Sequence, residues 1–221
     1  MSLPRRTGFR TALVLCVAIQ LLLLPATRAA AQDPGPIGPF VIDVRGSMVN
    51  VGQDPDLAAN RGLGPSQLPA WGLGLDVGGH VYLFSWGVIT FGVGASALFT
   101  AASRTPGENE PDAGGPTVTT RFTAFSPQLS FNFGDGDGWS YLSGGLGTSR
   151  LTVSSEQLTV PAQRRAGTLN YGGGARWFVR PGMAFSLDLR MFAISPLEQT
   201  STEPGSPRMT RLALNLGVAF K

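Results

Sequence analysis

Seven titratable side chains stand at alternating positions within apolar and glycine-rich stretches: Asp43 and Arg45, Asp76 and His80, Arg176, and Asp188 and Arg190. Carboxylates and guanidiniums brought together make charge-assisted hydrogen bonds. A carboxylate, a histidine and a nucleophile brought together make a hydrolytic site. The chain has 1 His, and no nucleophile and orienting group accompany it in the sequence, so His80 reads as an interior, hydrogen-bonded histidine. No catalytic residue is expected. Metal ligands are equally scarce: the single Cys is Cys16, and the acids around Glu108, Glu110 and Asp112 lack the spacing of a calcium loop. Gly72-Leu73-Gly74 and Gly92-Val93-Gly94 look superficially like nucleotide-binding turns, but no helix follows either one. Neither a metal nor a cofactor is expected.

The elements that position these charges begin after an export signal. Of the 221 residues, the first 31 carry Arg5, Arg6, Arg10 and Arg28 and no acid. Residues 12–24 are apolar but for Gln20, and Ala29-Ala30-Ala31 supplies a small-residue cleavage site. A run of 13 residues is too short for a membrane helix, which needs ~20. Residues 1–31 therefore read as a Sec signal peptide and residues 32–39 as a Pro/Gly linker. Cys16 departs with the signal, so the mature chain has no disulfide. The remaining 13 basic residues face 14 acids, a balance of −1 that offers nucleic acid no basic footprint.

From residue 40 onward the hydrophobic period is two, which is the period of strands. Leu212, Leu214, Leu216, Val218 and Phe220 alternate with Ala213, Asn215, Gly217 and Ala219. Phe185, Leu187, Leu189 and Met191 alternate with Ala184, Ser186, Asp188 and Arg190. Comparable stretches start near Phe40, Trp71, Ile89, Phe125, Ser140 and Leu169, giving eight strands. Their connections alternate in length: long over 51–68, 102–116, 154–165 and 195–208, and short at 83–86, 134–138 and 180–182. A sandwich has no reason to sort its loops this way, whereas a barrel inserted from one side requires it. The expected fold is all-β: an eight-stranded antiparallel up-and-down transmembrane barrel over residues 40–221.

Aromatic residues cluster near the short turns, where rings favour a lipid interface. Phe40, Phe84, Trp86, Phe131, Phe133, Trp139, Tyr141, Trp177, Phe185 and Phe220 are assigned there, and Trp71, Phe99, Phe122 and Tyr171 to a thinner outer belt, with some of these rings free to face inward where a turn shifts the register. With the apolar faces outward, Asp43, Arg45, Asp76, His80, Arg176, Asp188 and Arg190 point into a lumen only wide enough for side chains. Three carboxylates and three guanidiniums form a lumenal charge network there, with Asp43 or Asp188 paired to Arg176 or Arg190 and glycines making room for the long side chains. Two other readings remain. One is a narrow passive pore; the other is a secreted soluble barrel holding an apolar ligand, which requires the reverse polarity.

These residues resemble the small eight-stranded outer-membrane barrels of the OmpA/OmpX and opacity-protein kind, without a peptidoglycan-binding domain. The likeness rests on Asn170-Tyr171-Gly172-Gly173-Gly174-Ala175-Arg176-Trp177-Phe178, the turn at 180–182, and Ser186-Leu187-Asp188-Leu189-Arg190. The last strand, residues 212–220, is similar to the terminal signal read by the barrel-insertion machinery, although Lys221 follows the usual final aromatic. The resemblance implies a bacterial outer-membrane location with lipid and the insertion machinery as partners. It also implies a structural or surface-interaction role through polar extracellular loops whose ligand is unknown.

Overall fold

The computed structural model describes residues 35–110, 113–155, 165–201 and 204–221. The expected signal peptide and the start of the linker lie outside the described residues, as do positions 156–164 of one long connection. Residues from Gly35 to Lys221 form one compact unit. Its strands are β1 (Phe40–Asn50), β2 (Trp71–Trp86), β3 (Ile89–Arg104), β4 (Val118–Asp135), β5 (Gly138–Ser155), β6 (Arg165–Arg180), β7 (Met183–Ile194) and β8 (Met209–Phe220). Each pairs antiparallel with its neighbour in sequence, and β1 pairs with β8 from Ile42 opposite Phe220 to Val49 opposite Ala213. Closure leaves no free strand edge.

Three tight turns gather at one end of the barrel and four longer connections at the other, so the two are called the turn end and the loop end. The β2–β3 turn falls at Gly87 and Val88, beyond the 83–86 expected from the sequence, because β2 continues through Trp86. The register shifts between Tyr82 and Phe84 to accommodate the extra residue, a β-bulge that re-aims the strand. Gly87 takes φ 58° in this turn and Gly182 takes φ 80° in the β6–β7 turn, a left-handed backbone that glycine adopts without steric cost.

Period-two alternation decides which way each side chain faces. Leu189 is 52% exposed on the outer wall while its neighbours Asp188 and Arg190 are 0% and 2% exposed within. Leu73, Leu129, Leu142, Leu146 and Leu216 continue the outer apolar belt. An apolar-ligand carrier would have the opposite arrangement. The aromatic expectation needs correction at three positions, for Trp139, Tyr141 and Phe122 point inward and are buried. Leu142 and Leu146 outward force the odd-numbered positions of β5 inward, and Phe125 outward does the same to the even positions of β4.

Aromatic and apolar side chains fill both ends of the lumen. At the turn end Ile37, Val41, Trp139, Ala184 and Ala219 pack with Tyr82 and Phe178. Trp139 stacks on Phe178 at 5.1 Å and meets Tyr82 edge-on at 5.7 Å. Residues 35–39, expected to be linker, lie across this end: Tyr82 N–H donates to Pro39 O at 2.9 Å and Gly136 N–H to Gly35 O at 2.6 Å. Lys221 covers the same end, its Nζ 3.8 Å from the Phe178 ring centroid.

The loop end departs further from expectation, because the first long connection folds inward. Asp54 caps a short helix, α1 (Pro55–Ala59), by accepting from Leu57 N–H at 2.9 Å, and a single 3-10 turn follows at Pro65–Gln67. Leu57, Ala58, Leu63 and Leu68 from this connection are buried against Val49, Phe122, Val153, Phe192, Ile194 and Met209. Phe122 and Phe192 meet edge-to-face at 5.6 Å.

Candidate functional site

Between the two apolar plugs lies a buried belt of charge. β1 contributes Asp43, Arg45 and Ser47, β2 Asp76, β5 Tyr141 and Ser143, and β6 Asn170 and Arg176. β7 adds Ser186, Asp188 and Arg190, and β8 adds Asn215. Arg176 grips Asp43 with two parallel bonds, Nε to Oδ1 at 2.9 Å and Nη2 to Oδ2 at 2.6 Å. Arg45 reaches Asp76 Oδ1 through Nε at 3.0 Å and Nη2 at 2.8 Å. Arg190 holds Asp188 through Nε to Oδ1 at 3.2 Å and Nη2 to Oδ2 at 2.8 Å. The Arg176 and Arg190 forks each engage both carboxylate oxygens, the geometry in which a guanidinium best compensates a carboxylate removed from water, whereas Arg45 places both donors on Oδ1 of Asp76.

Tyr141 joins two of these pairs. Its hydroxyl accepts from Arg45 Nη1 at 2.8 Å and donates to Asp188 Oδ2 at 2.8 Å. The guanidinium of Arg176 lies 4.1 Å from the same ring's centroid, a cation–π contact. Neutral donors and acceptors complete the set. Ser186 donates to Asp43 at 3.0 Å, Asn215 to Asp188 at 2.8 Å, Ser47 to Asn215 at 2.5 Å, and Arg190 to Ser143 at 2.8 Å and Asn170 at 3.2 Å. Space for these side chains comes from glycine on the adjacent strand: a Cβ at Gly174 would stand 2.7 Å from Tyr141 Oη.

The structure thus brings Asp43, Arg45, Asp76, Arg176, Asp188 and Arg190 into one cluster of three acids and three bases. His80 lies on the inner wall at 6% exposure, and neither ring nitrogen has a hydrogen-bond partner among the described residues, unlike the bonded histidine expected. Sequence reasoning missed the part played by Tyr141, whose inward parity was available from Leu142, and the amide and hydroxyl groups around it. Chemically, the three guanidiniums are bonded to carboxylates and do not present a free fork to a solute, while Asp76 Oδ2 and Asn170 Nδ2 are buried with no hydrogen-bond partner among the described residues. Among the described residues, no group of three or more His, Cys, Asp and Glu side chains is placed to hold a metal.

A second charge lies under the loop end. Arg61 follows α1, donates to Leu57 O at 3.1 Å and to Ser206 Oγ at 3.3 Å, and is buried with no carboxylate beside it among the described residues. Burial alone pushes its guanidinium below the usual arginine pKa.

No known protein-family model matches the chain, and no curated protein matches it in sequence. Among solved structures, Neisserial surface protein A (NspA) superposes with a TM-score of 0.52 at 13% identity, covering 83% of this chain and 97% of that one. The fold is that of a small outer-membrane β-barrel. Ail, the attachment invasion locus protein of Yersinia pestis, gives a TM-score of 0.45 at 16% identity, covering 82% of this chain and 96% of that one. The outer membrane protease OmpT of Escherichia coli gives 0.40 at 10% identity, covering 69% and 64%.

Proposed function

We propose that this chain is an exported outer-membrane barrel whose lumen is a structural core and whose contacts with other molecules are made at the loop end. In this reading residues 1–31 direct Sec export and are removed, and the insertion machinery reads the last strand, residues 212–220. The turn end faces the periplasm. The observation that carries the reading is the polarity of the wall, apolar outward and charged inward, around a closed sheet. Lipid is the solvent that such an exterior matches. The Asp/Arg belt and the two apolar plugs close the lumen, which favours a structural or surface-interaction role over a passive pore. With the connection after β1 packed into the mouth, the connections after β3, β5 and β7 are the surface left for a partner. Loops of this kind carry binding while the scaffold holds them. The test is cell fractionation followed by electrophoresis of unheated and boiled samples. An outer-membrane band that shifts on boiling is expected; a soluble protein with no shift overturns the reading.

A further inference from the structure

Three arginines stand on the outer wall of the barrel near the loop end, outside the lumenal belt. Arg150 of β5 is directly opposite Arg165 of β6, and Arg121 of β4 is diagonal to Arg150, whose β4 partner is Thr123. Like charges set directly across a ladder destabilise it unless something of opposite charge lies between them. Among the described residues, none of the three has a hydrogen-bond or ion-pair partner. The cluster is one-sided: at the same end the outward positions of β1, β2, β3 and β7 carry Met48, Trp71, Ser103 and Ala193.

The height of the cluster is informative. Arg121, Arg150 and Arg165 each lie four positions beyond the last large apolar outward residue of their strand, which are Phe125, Leu146 and Leu169. Four residues advance ~13 Å along a strand, or about 9 Å along the barrel axis at the usual tilt. The polar layer on each side of a bilayer is about 5–8 Å thick, and arginine reaches into it by bending its apolar stem along the wall. Beside the arginines runs an open groove of about 370 Å³. Its lining includes the small side chains of Ala97, Thr123 and Thr148, the rings of Phe99 and Phe125, and Arg150 and Arg165.

Resting on the outer-membrane reading above, we infer that this face binds a phosphorylated outer-leaflet lipid, its phosphate on Arg121, Arg150 and Arg165 and an acyl chain along the groove. Three adjacent planar cations fit a phosphate better than any neutral headgroup. The groove continues the apolar belt, so the same molecule fills both.

The test uses the full barrel refolded in dodecyl maltoside, with folding confirmed by the unheated gel shift. Binding of diphosphoryl lipid A, fully dephosphorylated lipid A and inorganic phosphate is measured by native mass spectrometry. Diphosphoryl lipid A is expected to bind best, and affinity to fall roughly fivefold per arginine replaced, on the order of a hundredfold in R121Q/R150Q/R165Q. Arg208→Gln, an exposed arginine on β7–β8 connection, is expected to change nothing, and Ala97→Trp to weaken the lipid by filling the groove. If the triple variant fails to fold, Arg150→Gln alone carries the test. Equal binding by folded wild type and variant, or free phosphate binding as tightly as the lipid, overturns the inference while the barrel reading stands. A wild-type chain that gives no gel shift removes the barrel reading itself.

Discussion

The ion pair between Asp43 and Arg176 spans the lumen from β1 to β6, and breaking it from either side has a calculable consequence. Both side chains are at most 1% exposed. In Arg176→Met, Asp43 keeps the Ser186 hydroxyl at 3.0 Å and Arg45 Nη1 at 3.9 Å, so a carboxylate is left buried with one good partner. An uncompensated buried charge of this kind costs about 3–5 kcal/mol. Asp43→Asn leaves the Arg176 guanidinium against the Tyr141 ring without a counter-charge, and the same range applies. The double variant D43N/R176M contains neither orphan. It loses the pair and the ring contact, the latter being ~1–2 kcal/mol in a desolvated setting. We therefore expect D43N/R176M to be more stable than either single variant, with a coupling of at least ~2 kcal/mol. The assay is reversible urea unfolding from phosphatidylcholine vesicles, followed by tryptophan fluorescence and the unheated gel shift. Single variants that each cost under ~1 kcal/mol and add in the double would refute the view that this pair is an interdependent part of the core.

Gly174→Ala places a methyl against Tyr141 and the β7 backbone; a loss of ~1–3 kcal/mol is expected from overpacking, and an unchanged urea midpoint would contradict the space argument. Arg61→Met removes a buried cation that has no carboxylate beside it among the described residues, so stability is expected to hold or rise by ~1 kcal/mol; a loss above ~2 kcal/mol would show that its bonds to Leu57 and Ser206 matter more. Leu57→Asp is expected to expel the connection after β1 from the mouth without unfolding the barrel, exposing Arg61 to trypsin in the folded protein; continued protection would contradict the inward packing. Planar-bilayer recordings of the wild type are expected to show no discrete conductance steps, because aromatic, charged and apolar layers occlude the lumen in series.

The strands were legible because burial on one side only imposes a period of two, and the outward residues Leu73, Leu142, Leu189 and Leu216 each lie on the face the alternation assigns. Trp139 and Tyr141 stand at the height of a lipid-interface ring, yet the parity that Leu142 fixes turns both inward. Which arginine meets which aspartate was not legible. Asp43 and Arg176 are 133 positions apart and meet only because register and tilt bring β1 and β6 across from each other. The apolar plug from the connection after β1 was not anticipated: residues 51–68 read only as a long loop, and Asp54 and Pro55 show their part as cap and first turn only in the structure. What the local sequence could not convey is that Leu57, Leu63 and Leu68 find their partners inside the barrel mouth, since those partners are spread over β1, β4, β5, β7 and β8.

The direction in which the wall faces is tested most directly with the chain's own tryptophans. Trp177 is 49% exposed on the outer wall of β6 opposite Gly138, and Trp139, the next residue of β5, is 2% exposed within the lumen. Two single-tryptophan chains, with the other three tryptophans changed to phenylalanine, are refolded into vesicles whose phosphatidylcholine carries brominated acyl chains. The Trp177 chain is expected to lose most of its fluorescence relative to unbrominated vesicles, and the Trp139 chain to keep its own. Strong quenching of Trp139 with Trp177 spared would contradict an outward apolar wall in lipid.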